Sequence, residues 1–445
     1  MPQFVSRFAP SPTGLLHAGN YRTAVFAYLF ARHNDGTFVL RIEDTDKKRS
    51  ETHYAENIME TLDWLGLEYD ALRHQSECVE EHERVLRDFV DRGIAYVSKE
   101  TSEDGSQKEL IRFKNPNKKI TFTDVVRGDI TVDTTDLGDF VIAKGFDAPL
   151  FHLAVVVDDA VGGITHVIRG EDHISNTPRQ ILIYEAINAH IPQYVHLPLV
   201  LAQDRSKLSK RKGARALLEY RDLGYLPDAI LNYLTMLGWH PGTDEEVFTK
   251  EQLIERFTLQ QIQKSGAIFD EVKLRWFNRE HILRLDPKEF STKIKEWLSK
   301  ETYTKLSELN RFEAILPVIR ERIEIFADVK TMETAGEFAY FVETPHYTPE
   351  ELLWKKEPSL AVTKTHLQKA YELLSAVSQS EWDVITTKEA LWDYASEVGR
   401  GNVLWPVRFA LTGKEKSPDP FTVAAILGKD ETLARITHAI THTTT

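Results

Sequence analysis

The sequence predicts an α/β domain built on a parallel sheet, split by a β-rich insertion and followed by an all-helical carboxyl-terminal region. Three observations carry that prediction. A strand, a Pro/Gly turn, a helix and a second strand succeed one another before residue 43. Between residues 110 and 157 the chain becomes a series of short β-forming runs separated by turn residues. From Pro227 onward apolar residues recur at helical spacing.

Residues 3–8 can form a strand, Pro10, Pro12 and Gly14 break it, and His17 opens a helix. That helix is expected to bury one face, carrying Ala18, Tyr21, Ala24, Val25, Tyr28 and Leu29. Residues 38–42 form the next strand and close with Glu43, Asp44 and Asp46. The crossover should be right-handed, and carboxylates then stand at a strand's carboxyl end, where open parallel sheets bind ligands. Residues 54–65 and 80–93 read as helices, the second stopped by Gly93. The runs ELIRFK, KITFTDVV, DITVDT, DFVIAK and LFHLAVVVDD predict an antiparallel insertion. The parallel sheet resumes at 164–168, with Arg169 at the strand end. Thr177 should cap the following helix, with Pro178 at its first position and Gln180 reaching back. Residues 195–201 supply another strand. Helices are predicted at 227–237, 250–257, 271–276 and 287–299 and onward to Ile440, with linkers at 241–242 and 344–349. In GRGNVLWPVRFALT (399–412), Leu404, Val407, Phe409, Ala410 and Leu411 repeat helically, with an early break at Pro406.

At 445 residues and 42% hydrophobic composition the chain should fold as several domains. No apolar run approaches the roughly 20 residues of a membrane helix, and the amino terminus lacks a charged-then-apolar signal pattern, so a cytoplasmic protein is expected. A single cysteine, Cys78, excludes an internal disulfide and a multi-cysteine zinc site. The net charge of −13 disfavours a polyanionic partner overall. Locally the balance reverses. Arg205, Lys207, Lys210, Arg211, Lys212, Arg215 and Arg221 stand against only Asp204 and Glu219, and such a stripe can attract phosphates on an acidic body.

RFAPSPTGLLHAGN (7–20) places a turn and a helix start at the sheet's carboxyl edge, where unpaired N–H groups favour an anion. Gly19 lets a flat ligand approach the backbone, and His17 and Asn20 can hydrogen-bond phosphate oxygens, so a nucleotide is expected. Alone, an H-x-G-N tetrapeptide recurs by chance, and a basic turn is usually only solvated. Their conjunction is what matters. KLSKRKG (207–213) supplies a cationic loop hanging from a strand end, able to neutralise a leaving pyrophosphate.

HAGN after SPTGLL, with KLSKR downstream, resembles the paired signatures of class I aminoacyl-tRNA synthetases. More narrowly, RFAPSPTG, RIEDTD (41–46), VIRGEDH (167–173), KLSKRKGA (207–214) and VLWPVRFALTGKE (403–415) resemble the bacterial type of glutamyl-tRNA synthetase, in the family's order and over nearly the whole chain. The resemblance implies a Rossmann-type catalytic domain in two halves, 1–77 and 158–240, around a shortened α+β insertion, 78–157, that binds the tRNA acceptor end. A helical stem-contact domain, 241–310, and a helical anticodon-binding region, 311–445, should follow. It implies ligation of L-glutamate to tRNA(Glu) through glutamyl-adenylate, with ATP and Mg²⁺, by a monomer.

By the same resemblance His17, Lys207 and Lys210 are catalytic, and Pro10, Gly14, Gly19, Asn20, Leu208 and Ser209 join them around ATP. Arg7, Ala9, Ser11, Glu43, Phe151, Val155 and Arg169 surround glutamate. Glutamate carries two carboxylates and one ammonium, so a selective pocket requires two cationic forks and an acid, and Arg suits a carboxylate because it binds in bidentate fashion. Arg7 is assigned the side-chain carboxylate, Arg169 the α-carboxylate and Glu43 the ammonium. Phe151 departs from a tyrosine common in relatives, which removes one hydroxyl. The stretch SKETSEDGSQKEL (98–110) stands where many relatives carry a longer segment, sometimes with zinc-binding cysteines, and no zinc is expected here. A glutaminyl-tRNA synthetase would end in β-barrels, the shortened homologue that modifies a tRNA base would lack the helical tail, and a simple adenylyltransferase would need neither insertion nor tail. A non-catalytic tRNA-binding paralogue would not require the intact set of His17, Glu43, Arg169, Lys207 and Lys210.

Overall fold

The sheet begins with β1 (Val5–Phe8), which pairs in parallel with β2 (Thr37–Ile42) through the crossover helix α1 (Ala18–His33). The computed structural model describes residues 4–101, 107–209, 215–355 and 359–443, in two units, Met1–His281 and Ile282–Thr445. Lys210, Arg211, Lys212 and Gly213 of the cationic loop lie outside the described residues. Helix α2 (Thr52–Trp64) leads to β3 (Ala71–His74), a strand not read from sequence, which pairs in parallel with β2. Five of the six residues of β2 are buried, Arg41 among them. A parallel strand covered on both faces shows no apolar–polar alternation.

Next come α3 (Val79–Asp91), β4 (Ala95–Thr101), β5 (Gln107–Phe113), β6 (Lys119–Asp124), β7 (Gly128–Asp133), β8 (Phe140–Ala143) and α4 (Phe151–Val161). Strands β4, β5 and β8 form an antiparallel sheet of their own. β6 and β7 do not join it. They make an antiparallel hairpin whose alternate burial shows one wet face, and the hairpin extends the parallel sheet alongside β10 (Gln193–Leu197) and β9 (His166–Gly170). β9 lies beside β1, tied by Thr165 N–H to the Val5 carbonyl at 3.0 Å and by Val5 N–H to Thr165 Oγ1 at 2.9 Å. Two sheets, β3-β2-β1 and β9-β10-β6-β7, thus lie side by side with β1 next to β9.

LFHLAVVVDD, expected as a β run, is instead the helix α4, ending against Gly162. An unbroken apolar run fits a strand or a buried helix equally by pattern, and here packing decides. As a helix it buries every residue from Leu153 to Asp159, placing Leu153, Val156 and Val157 in one core with Leu86, Phe89 and Ile183. Helix α1 also differs. Beyond the expected face, Phe26, Ala27, Phe30 and Ala31 are buried, because the helix is enclosed nearly all round. Thr177 does not cap α5 (Thr177–Ala186); Asn176 precedes it, and Thr177 and Gln180 hydrogen-bond Arg169 instead.

The first unit continues through β11 (Val200–Leu201), α6 (Leu217–Asp222), α7 (Pro227–Met236), α8 (Lys250–Arg256), β12 (Ala267–Ile268) and all but the last turn of α9 (Glu271–Arg284). Pro198 separates β10 from β11, so the strand expected at 195–201 is interrupted. The second unit is helical from Pro287–Trp297 to Lys429–His442. Its helix Arg400–Thr412 runs through Pro406 without a break, with Val403, Pro406, Val407 and Ala410 buried. Loss of one N–H is tolerated where packing holds the turn. Among the described residues no helix is long and apolar enough to cross a membrane, and no group of three or more His, Cys, Asp or Glu is placed to hold a metal ion.

Candidate active site

Where β1 ends, the backbone turns through Ala9 to Leu16, and Pro10 receives the Glu43 N–H on its carbonyl at 2.9 Å. This pins the end of β2 to the turn. His17 then caps α1: its Nδ1 accepts the Gly19 N–H at 3.1 Å, and Asn20 Oδ1 accepts the His17 N–H at 3.2 Å. An accepting Nδ1 leaves the proton of a neutral imidazole on Nε2. Gly19 fits the cap closely, since a Cβ there would stand 3.0 Å from His17 Cε1 and the ring would have to give. His17 also bridges in antiparallel fashion to Ala216, where the chain returns from the cationic loop.

Above these elements opens a cavity of about 420 Å³. β1 contributes Arg7, the turn Ala9, Pro10 and Ser11, and the helix start His17, Gly19 and Asn20. Glu43, Phe151, Val155 and Arg169 also line it, as do Lys207 and Leu208. Gly14 and Ser209 are not in its lining, and Lys210 lies outside the described residues. Lys207 Nζ is held by Asp172 Oδ2 at 2.6 Å, on an exposed rim where such a pair is easily exchanged for another anion. Phe151 is 39% exposed with its ring 5.7 Å from that of His173.

The charges that converge on this cavity are tied from behind by groups the sequence pattern did not single out. Asp159 receives Arg7 through Nε at 3.2 Å and Nη2 at 3.3 Å, and Arg41 through Nη1 at 2.5 Å. Arg41 Nη2 in turn reaches Glu43 Oε1 at 3.1 Å. Burial would raise the Asp159 carboxyl, but Arg41 and Arg7 hold it below the usual carboxylate range. Burial pushes the Glu43 carboxyl up, against the pull of Arg41. The second cationic fork, Arg169, is pushed down to about 10 by burial and donates Nη1 to Gln180 Oε1 at 2.7 Å and Nη2 to Thr177 Oγ1 at 2.8 Å. His173, lowered to about 4 by burial and by Arg169, is neutral beside it. Nothing local in the sequence marks Asp159, because it lies 152 positions from Arg7 and 118 from Arg41. Two guanidinium groups, a buried carboxylate and a helix start therefore face one cavity. Together they can receive a small amino acid with two carboxylates next to a phosphate-bearing nucleotide.

This arrangement, a parallel sheet with a capped helix start on one side of the cavity and a lysine loop on the other, defines the catalytic domain of a class I tRNA synthetase. Residues 3–107 and 100–276 match the family described as tRNA synthetases class I (E and Q), catalytic domain, and residues 289–440 match an anticodon binding domain. The chain is 37% identical to a glutamate–tRNA ligase of Sulfurihydrogenibium sp. (97% of this chain, 98% of that protein). It is 38% identical to one of Aquifex aeolicus (98% of each). Its fold is similar to a crystal structure of a glutamate tRNA ligase from Elizabethkingia meningosepticum in complex with its amino acid, with a TM-score of 0.84 and 29% identity over 99% of both chains. The chain belongs to the glutamate–tRNA ligase family.

Proposed function

We infer that the chain ligates L-glutamate to tRNA(Glu). The observation that carries this is the pair of buried arginines, Arg7 and Arg169, facing one cavity with Glu43, in a chain that aligns with glutamate–tRNA ligases over almost its whole length. The reaction has two steps. The α-carboxylate of glutamate attacks the α-phosphorus of ATP and pyrophosphate leaves; the 2′-hydroxyl of the terminal tRNA adenosine then attacks the adenylate carbonyl and AMP leaves. No covalent enzyme intermediate is needed, so catalysis is positioning plus charge stabilisation.

Arg7 takes the side-chain carboxylate, Arg169 the α-carboxylate and Glu43 the ammonium, whose arrival relieves the cost of a buried carboxylate. Ala9, Ser11, Phe151 and Val155 complete the amino-acid wall. His17, Gly19 and Asn20, with Pro10, meet ATP at the start of α1, and Lys207, Leu208 and Lys210 approach its phosphates from the loop. Mg²⁺ belongs with those phosphates, which it needs as ligands more than protein carboxylates. We further assign 78–157 to the tRNA acceptor end, 241–310 to the stem and 311–445 to the anticodon, in a cytoplasmic monomer. Charging assays with radiolabelled glutamate and glutamine against tRNA(Glu) and tRNA(Gln) test the proposal. Glutamate on tRNA(Glu) is the expected product, and absence of charging with either amino acid would overturn it.

A further inference from the structure

Arg169 is held by more than the two neighbours on α5. Its Nε–H points at His196 Nε2 at 3.1 Å, and Thr177 Oγ1, which accepts from Nη2, lies 3.3 Å from the same nitrogen. A histidine nitrogen can accept a hydrogen bond only when it carries no proton, so His196 must be neutral with its proton on Nδ1. The structure supplies the reason for that tautomer. His196 Nδ1 lies 2.7 Å from Asp124 Oδ2, which also accepts the His196 backbone N–H at 3.0 Å. Asp124 Oδ1 meanwhile accepts the N–H groups of Val126 and Arg127 at 3.0 and 2.8 Å. Four donors therefore converge on one carboxylate, which has no proton of its own to give. His196 is completely buried and Asp124 is 1% exposed, so water does not compete for either. The Tyr194 ring, stacked 5.8 Å from His196, closes the arrangement by lying 5.3 Å from the Arg169 guanidinium.

The three residues come from three strands, β6, β10 and β9, and Asp124 is 72 positions from His196 in sequence. β6 belongs to the hairpin that extends the sheet, so the hairpin is wired to the amino-acid subsite through one imidazole. We propose that Asp124 and His196 are positioning residues that fix the orientation of Arg169, and through it the affinity of the site for the substrate carboxylate. This rests on the assignment of Arg169 to glutamate above. Asp124 selects the His196 tautomer, the tautomer presents a lone pair to Nε, and with Gln180, Thr177 and the His173 carbonyl on Nη1 and Nη2 the guanidinium is fixed at the cavity wall. Neither residue lines the cavity.

The test separates the two hydrogen bonds of His196. In His196→Gln the side-chain carbonyl can stand where Nε2 stood and accept from Arg169, while in His196→Asn the amide can donate to Asp124 but cannot reach Arg169. Steady-state ATP–pyrophosphate exchange in the presence of tRNA(Glu) gives KM for glutamate and for ATP separately. We expect His196→Asn to raise KM for glutamate by about tenfold or more, the loss of one charge-assisted hydrogen bond, with KM for ATP unchanged. His196→Gln should recover most of that loss. Equal KM values for the two variants, or a parallel rise for ATP and glutamate, overturn the proposal and leave the dyad a core element only. Should His196→Asn fail to fold, Asp124→Asn carries the test, since it frees the imidazole to turn a proton toward Arg169. An unchanged KM for glutamate in that variant overturns it. Arg169→Gln is the control for the assignment itself: if it leaves KM for glutamate unaltered, the assignment fails, whereas failure of the His196 variants alone leaves the assignment standing.

Discussion

Asp159 bears the greatest structural load at the site, because one carboxylate orients both Arg7 and Arg41, and Arg41 orients Glu43. Removing its charge takes from the buried Arg7 its carboxylate partner and from Arg41 the shortest of three, Glu43 and Asp158 remaining. Asp159→Asn should cost about 3–5 kcal/mol of stability by that argument, and raise KM for glutamate while KM for ATP changes little. Calorimetry and exchange kinetics check the two effects, and a stable variant with wild-type KM would exclude the role. Arg7, Glu43 and Arg169 were legible in the sequence because each stands at the end of an apolar run, where parallel sheets present side chains to ligands. Asp159, Arg41, Asp124 and His196 were not, since pairing partners 72 to 152 positions apart leave no local pattern. The absent Phe151 hydroxyl was legible too, and its ring does line the cavity, 39% exposed.

The helix α1 shows why a signature element serves both fold and chemistry. His17 closes a reciprocal cap with Asn20 while its ring borders the cavity. His17→Ala should lower Tm through loss of the cap, worth about 0.5–2 kcal/mol, and depress adenylate formation. His17→Asn retains a capping acceptor, so Tm should recover while adenylate formation stays low; recovery of both would reduce His17 to a cap. Helix α4 teaches the opposite lesson about sequence. Its run of valines favours a strand by propensity, and only the enclosing core of α3, α5 and the sheet makes it a helix. The same limit explains the hairpin β6–β7. Alternation identifies its strands, but no sequence pattern says which sheet they join.

At the scale of the whole molecule, the first unit encloses histidines in neutral form. Burial pushes His152, His166 and His173 each down to about 4. In the unfolded chain they titrate near about 6.5. Below that pH unfolding takes up protons that the folded state refuses, so stability is full above about pH 6.5 and falls progressively as pH drops toward about 4. Thermal unfolding across pH 7.5, 6.0 and 5.0 should show a declining Tm, and a flat profile would contradict the buried neutral state. The parallel sheet and the helical carboxyl-terminal region followed from patterning and motif order, whereas the order of strands did not, and the cavity lies where β1, β2 and β9 end.

The central claim is that glutamate is chosen by charge, through two arginines facing one cavity. It is tested most directly by the ratio of kcat/KM for glutamate to that for glutamine in charging tRNA(Glu), measured for the native chain and for Arg7→Gln. The account predicts a strong native preference for glutamate that collapses in the variant, mainly through loss of the glutamate reaction. A native ratio that Arg7→Gln leaves unchanged would contradict it.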